Sequence, residues 1–388
     1  MQLFTQAVPV WSCAAGEISD QYRLFRKKFT VPAKAGRIRL DIAADSTFMV
    51  MVNGSRLPIQ QLADFPGDRT VSRWDITPLV KTGENIISVE VHYIGERFLT
   101  YRTGEAFLCA EISSDKMVLA ATDESWKWMI SPDMQSGLNC KLTSQLGFVF
   151  AQDARRSIPY EKADFDDSAW AAAVKVAGAE TWKFSLRQIP QLDELPYADA
   201  VICQMGYLRR KEELATFAET AFRDYLSPRR PREFFSVFDE SLLWDDMVRR
   251  NFICKKSGGF DFTLAPLPED TDGYYLILDC GKELVGFLDM EISLPDGAVV
   301  DICHGEHLDD GRVRTFVGNR NFADRLIAKA GWNHLFYNHR RIGGRYVELH
   351  ITNCGGNEVK FRYAGILPVS VPLAPGTTRR KRRPLLRP

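Results

Sequence analysis

A chain of 388 residues is too long for one compact core and points to two or three domains. Hydrophobic residues at 45% and charged residues at 26% are ordinary for a folded globular protein, which excludes fibrous and extensively disordered classes. Fifty basic residues balance fifty acids, but the last twelve residues, Thr377 to Pro388, hold six of the basic residues and no acid. The rest is therefore mildly acidic, with no field that gathers nucleic acid or an anionic membrane, and neither is expected as a partner.

The opening stretch MQLFTQAVPVWSC lacks a basic n-region and a continuous apolar h-region, so no signal peptide is read there and a cytoplasmic location is expected. Trp11 is too bulky for a lipoprotein site at Cys13. No apolar run reaches the length of a membrane span. The eight cysteines, at 13, 109, 140, 203, 254, 280, 303 and 354, stand singly. Without CxxC pairs they read as buried free thiols of a reducing compartment, not as zinc ligands.

The first third is written in short strands. Tyr22 to Val31 alternates in part and stops at Pro32, and Arg37 to Ile42 is a period-two run. Phe48 to Val52 closes on Asn53-Gly54, a hairpin turn signal because both residues tolerate positive φ. Ile86 to Val91, Ala106 to Ile112 and the stretch around Trp126 continue the pattern. Strands at this spacing with Gly, Pro and Asn breaks predict a sandwich or jelly roll over residues 1–178. Asp166-Asp167 before Trp170 reads as the turn that ends it. Residues 179–257 read as a connector with one amphipathic helix, Lys211 to Leu226, whose apolar residues Leu214, Phe217, Ala221 and Tyr225 recur every three or four positions.

A second strand-rich module is expected over 258–373. Tyr274 to Asp279 and Gly286 to Leu294 read as two strands. A Pro295-Asp296-Gly297 turn follows, then strands at Val299 to Cys303, Arg345 to Ile351 and Val359 to Ile366. Residues 374–388 read as a basic disordered tail. The expected fold is mostly β: two jelly-roll or concanavalin-like sandwiches joined by a partly helical linker.

Few residues announce chemistry. In His304-Gly305-Glu306-His307, a strand running to Glu306 would put His304 and Glu306 on one face and His307 on the other. The spacing lacks the helical i, i+4 pair of a zinc protease and reads as structural. Glycosidases need two carboxylates facing across a sugar, and no such pair can be picked out. Asp166-Asp167 and Asp309-Asp310 read as turn-formers, and most of the eight tryptophans as core. No nucleophile elbow, phosphate loop or dinucleotide fingerprint occurs. Tyr101-Arg102, after the IISVEV strand, is the one candidate for an exposed aromatic–cation pair that could meet a sugar.

Two blocks carry a family resemblance. FRKKFTVP at 25–32, DIAADSTFMVMVNG at 41–54, WDITPLVKTGENIISVEV at 74–91 and DESWKWMI at 123–130 resemble the N-terminal, galactose-binding-like β-sandwich of bacterial α-L-rhamnosidases, which are glycoside hydrolases. LDCGKELVGFLDMEISLPDGAVVDICHGEHLDDGRVRTF at 278–316, followed by GGRYVELHI at 343–351, resembles their concanavalin-like domain. Asp279, Gly281, Gly286, Gly297, Gly305, Glu306, Asp310, Gly311, Gly344, Arg345 and Tyr346 fall on that pattern. An ion pair of Arg345 with Glu306 is expected within it. In the family the catalytic residues lie on a following (α/α)-barrel, so the resemblance transfers no catalytic residue to this sequence.

Some members carry a calcium-dependent rhamnose-binding sandwich. Its ligands find no match here, so no metal or cofactor is expected. The resemblance implies the non-catalytic front of a rhamnosidase-like hydrolase, truncated and inactive alone. It also implies self-association through the surface that a barrel would cover, and a rhamnose-containing glycan as ligand. The alternatives are a stand-alone carbohydrate-binding module, and an enzyme with a site between the sandwiches that uses Glu306 and His304.

Overall fold

The computed structural model describes residues 3–12, 19–58, 64–137, 141–143, 145–197, 200–210, 238–243, 252–254, 262–264, 266–267, 269, 271–309, 311–313, 316–317 and 320–372. Cys13, Cys140, Asp310, the helix expected at Lys211 to Leu226 and the basic tail lie outside these residues.

The first sandwich is built from β1 (Gln21–Val31), β2 (Ile38–Asp45), β3 (Thr47–Val52), β4 (Arg69–Asp75), β5 (Gly83–Tyr93), β6 (Phe107–Ser114) and β7 (Lys127–Ile130), with shorter pieces at the edges. One sheet runs β7-β1-β5-β3, and the other has β2 between β6 and β4. The alternation seen in the sequence puts Phe25, Ile42, Val50, Val89, Leu108 and Ile112 into one core between them. Trp74, Trp126 and Trp128 fill the same core, so the tryptophans here are packing residues as expected. At the β3 turn both Asn53 (φ 51°) and Gly54 (φ 78°) take the positive angles that a primed hairpin turn requires.

The second sandwich has β8 (Ala200–Arg210), β9 (Gly273–Leu294), β10 (Val299–Gly305), β11 (Ala323–Ile327), β12 (Gly331–Thr352) and β13 (Val359–Ser370). β9 and β12 are each 22 residues long and pair antiparallel in both their halves. β8 binds the first half of β9, and β13 binds the second half. Tyr274, Leu276 and Leu278 of the first half share a core with Leu288, Met290 and Ile292 of the second. The long hairpin therefore bends over, and each of its strands serves both layers. The two strands read separately at 274–279 and 286–294 are one strand, interrupted by a register break between Asp279 and Leu284 where Gly281 has φ 74°.

The connector is not helical in its described part, which corrects the expectation of a partly helical linker. After a three-residue 3₁₀ turn, Ala179–Thr181, it supplies strands to both sandwiches. Phe184–Leu186 pairs with β4, Asp193–Glu194 with β13, and β8 joins the second sheet. The backbone groups of this segment are thus spent on sheet ladders, which leaves nothing for a helix to satisfy. Among the described residues no helix is long and apolar enough to cross a membrane.

The sandwiches meet through a shared apolar cluster, in which Tyr22, Met134 and Phe150 pack with the second-sandwich strands, and through buried polar side chains. Tyr22 of β1 and Tyr337 of β12 join hydroxyl to hydroxyl at 2.7 Å. The Thr47 hydroxyl donates to Nδ1 of His339 at 3.0 Å, and Nε2 of His339 donates to Glu90 at 2.8 Å. Arg56 adds a two-point pair with Glu194 and lies over the Phe336 ring.

Candidate functional site

The sequence-predicted pair does not form. Tyr101 is only 3% exposed and packs with Phe98 and Phe148, so its ring cannot serve as an open sugar platform. Arg102 is exposed beside it, and the two do not share a surface. Apolar neighbours took the ring inward, and only its hydroxyl stays in polar company, donating to Oδ1 of Asp45 at 2.6 Å.

Asp45 is the polar residue that sequence reasoning missed. It ends β2, and its Oδ1 also accepts the Ser46 hydroxyl at 2.7 Å. Among the described residues no donor meets Oδ2. Gly104 lies directly against that oxygen, with Pro66 beyond, so a Cβ at 104 would close the approach. The Tyr93 hydroxyl holds the Gly104 carbonyl at 2.8 Å and so fixes this gap. Burial pushes the Asp45 carboxyl up to about 6, against the hydrogen bonds of Tyr101 and Ser46 and the nearby charge of Arg69. Arg69 itself lies over Trp182, 3.6 Å from the ring centroid, within the fields of Asp45, Glu105 and Asp64. Phe65, next to Pro66, is 62% exposed. The arrangement is a recessed acceptor with a cation and aromatic rings nearby, which suits a ligand hydroxyl.

His304 and Glu306 are not brought together. β10 ends at Gly305, so Glu306 leaves the strand for solvent, where its carboxylate lies 3.9 Å from Nε2 of His307. His304 is buried, edge-on to Phe322 at 5.2 Å, with Nδ1 3.4 Å from the Gly343 carbonyl. Burial, together with the charge of Arg340, pulls its imidazole down to about 3, so it stays neutral. The expected Arg345–Glu306 pair is replaced by Arg345–Asp279, two bonds of 2.7 Å. Asp279 sits across the ladder from Tyr346, next to Arg345, whereas Glu306 lies past the end of its strand.

Other buried carboxylates are held by structural partners. Asp41 pairs with Arg73, Asp301 with Arg325, and Asp324 with Arg340. Glu348 binds Arg312, His350 and the Val313 amide. Burial opposes ionisation of Glu348, but His350 and Arg312 outweigh it and hold the carboxyl at about 2. Asp166 caps the Ser168 amide as a turn-former, while Asp167 does more and pairs with buried Arg26. Cys109, Cys303 and Cys354 are buried free thiols, Cys280 is buried, and Cys203 is free but exposed. Among the described residues no group of three His, Cys, Asp or Glu side chains is placed to hold a metal.

Residues 270–361 match the family described as bacterial alpha-L-rhamnosidase concanavalin-like domain. The fold over nearly the whole chain is that of solved rhamnosidases. A GH78 family rhamnosidase of Bacillus sp. GL1 superposes with TM-score 0.76 at 18% identity, covering 95% of this chain and 56% of that one. The α-L-rhamnosidase of Aspergillus terreus gives 0.58 at 16% identity, covering 93% and 36%. That of Dictyoglumus thermophilum gives 0.56 at 17%, also covering 93% and 36%. The chain thus spans about half or less of the length of these proteins. No curated protein matches the sequence.

Proposed function

We propose that this chain is the non-catalytic β-sandwich part of an α-L-rhamnosidase-type glycoside hydrolase and does not itself cleave glycosides. The match at 270–361 supports the family, and the state of the carboxylates carries the reading. Hydrolysis needs one carboxyl to protonate the leaving oxygen and a second to act as base or nucleophile. Here the buried carboxylates Asp41, Asp301, Asp324 and Glu348 and the partly exposed Asp279 are committed to arginines, Asp20, Glu90 and Asp289 meet histidines, Glu111 accepts backbone amides, and Glu306 stands apart from His304. Incubation with p-nitrophenyl α-L-rhamnoside tests this: no turnover above background is expected, and turnover lost in Glu306→Gln overturns it.

A second reading is favoured by the open Oδ2 of Asp45, namely that the first sandwich binds a saccharide, with a rhamnose-containing glycan as the first candidate. A carboxylate oxygen accepts from sugar hydroxyls, and the charge of Arg69 acts on Asp45. Arg102 stands in the same loop as Tyr101, at the edge of this gap in sequence. Calorimetry with L-rhamnose and rhamnosyl oligosaccharides is expected to show millimolar or tighter binding that Tyr101→Phe weakens by misplacing Asp45. Absence of binding by the wild type leaves the scaffold role alone.

A further inference from the structure

Asp45 stands beside a cation that it does not bind. β2 and β4 run antiparallel with Leu40 opposite Trp74 and Ile42 opposite Ser72. The same register carried to the strand ends sets Asp45 against Arg69. Phe107 of β6 brackets both. It is the ladder partner of Asp45, and its ring centroid lies 5.8 Å from the Arg69 guanidinium. The turn from Phe65 to Asp68, closed by the Asp68 amide on the Phe65 carbonyl at 2.9 Å, leads directly into Arg69. The same turn brings Pro66 to the Gly104 side of Asp45.

Opposite charges facing across a sheet ordinarily pair. Here other groups hold them apart. Oδ1 of Asp45 is taken by the hydroxyls of Tyr101 and Ser46. The Arg69 guanidinium is drawn over Trp182, 3.6 Å from the ring centroid. Asp64, whose charge also acts on Arg69, is occupied by the amide and hydroxyl of Thr70 and by Arg187. Among the described residues no hydrogen bond or ion pair reaches Oδ2 of Asp45 or the N–H groups of Arg69. The result is a split pair, an acceptor and a set of donors fixed on neighbouring strands.

Resting on the saccharide reading of this site, we propose that two neighbouring hydroxyls of one uncharged sugar ring bridge Asp45 and Arg69. One hydroxyl donates to Oδ2 of Asp45, and the oxygen of the next accepts from the Arg69 guanidinium. A hydroxyl both donates and accepts, so a vicinal pair satisfies both sides without a proton transfer. A sugar acid would set its carboxylate against Asp45, Asp64 and Glu105, and an amino sugar would set its ammonium against Arg69. A site of two signs therefore selects the neutral ring. Arg69 is the residue that tells a vicinal diol from a lone hydroxyl, which Asp45 alone would accept.

Titration calorimetry of the full chain at pH 7.5, where Asp45 is ionised, tests the bridge with methyl α-L-rhamnopyranoside and its 2-deoxy, 3-deoxy and 4-deoxy analogues. The wild type is expected to bind the parent sugar and to bind two analogues, deoxygenated at adjacent carbons, roughly tenfold or more weakly. Arg69→Met keeps an apolar stem over Trp182 but has no donors, and is expected to weaken the parent sugar by a similar factor. For that variant the analogue lacking the hydroxyl that meets Arg69 is expected to bind as well as the parent. If Arg69→Met fails to fold by circular dichroism, the analogues on the wild type carry the test. If the wild type binds none of these sugars, the saccharide reading falls and the bridge falls with it. The bridge alone is overturned, and the saccharide reading stands, if the wild type binds but only one hydroxyl matters. The same holds if Arg69→Met binds as tightly as wild type, or loses affinity equally for the parent and every analogue.

Discussion

Asp45 is poised where burial and ligand binding make opposite demands. Its carboxyl is raised from 3.8 to about 6, so the fold disfavours the charge that a ligand would use. A raised carboxyl costs stability above its folded value and costs nothing when both states are protonated in acid. At about 1.4 kcal/mol per unit, ionisation of Asp45 costs on the order of 3 kcal/mol at pH 7.5. Asp45→Asn is therefore expected to raise the urea midpoint at pH 7.5, by roughly 1–3 kcal/mol, with little change at pH 4. Calorimetry on the same variant is expected to show saccharide binding lost. Arg26 lies at the other extreme: it is fully buried and donates to the carbonyls of Tyr160, Lys162 and Phe165 and to Asp167. One side chain thereby fastens the closing turn of the first sandwich. Arg26→Ala takes the donor from the half-buried Asp167 carboxylate and from three carbonyls, and a loss of about 1–3 kcal/mol in denaturant titration is expected.

The bent hairpin of β9 and β12 sets the architecture of the second sandwich, and two of its glycines do different work. At Gly286 an added Cβ would run into the backbone carbonyl of Leu367, because β13 docks there. At Gly281 the φ of 74° disfavours a side chain, but nothing stands within 4 Å. Gly286→Ala is thus expected to cost about 3 kcal/mol or more, and Gly281→Ala only about 1 kcal/mol. Equal urea midpoints for the two would contradict this account of the bend. The same hairpin shows what the sequence could and could not reveal. Tyr274 to Asp279 and Gly286 to Leu294 read as strands because their apolar residues cluster, and both are strand. The first half of β12 went unread: Asn333, His334, Asn338 and His339 break its apolar pattern, yet Asn333 is buried in a local turn with Lys329 and Gly331, and His339 by Glu90, far along the chain. The candidate site failed for a related reason. Asp45 looked like one polar step in an apolar run, and its environment comes from Tyr101 and Gly104, which only the loop after β5 brings near.

At the scale of the molecule, acid acts on several buried groups of opposite sign. His304 has its imidazole lowered from 6.5 to about 3, and His92 and His350 are lowered as well, each first by burial. A lowered imidazole leaves stability intact above its unfolded value of about 6.5 and removes it steadily as the pH falls toward the folded value. At pH 5 His304 alone removes about 2 kcal/mol relative to pH 7. Asp45 works the other way, regaining about 1.3 kcal/mol as it protonates between pH 7 and 5. Asp64 and Asp324 are raised by burial as well, so three imidazoles stand against three carboxyls; the unfolded imidazole value of about 6.5 lies inside the window, so the urea midpoint is expected to fall from pH 7 to pH 5. Leucine at 304 keeps the contact with Phe322 and removes the titration. His304→Leu is therefore expected to flatten that fall by about 2 kcal/mol, and Asp45→Asn to steepen it.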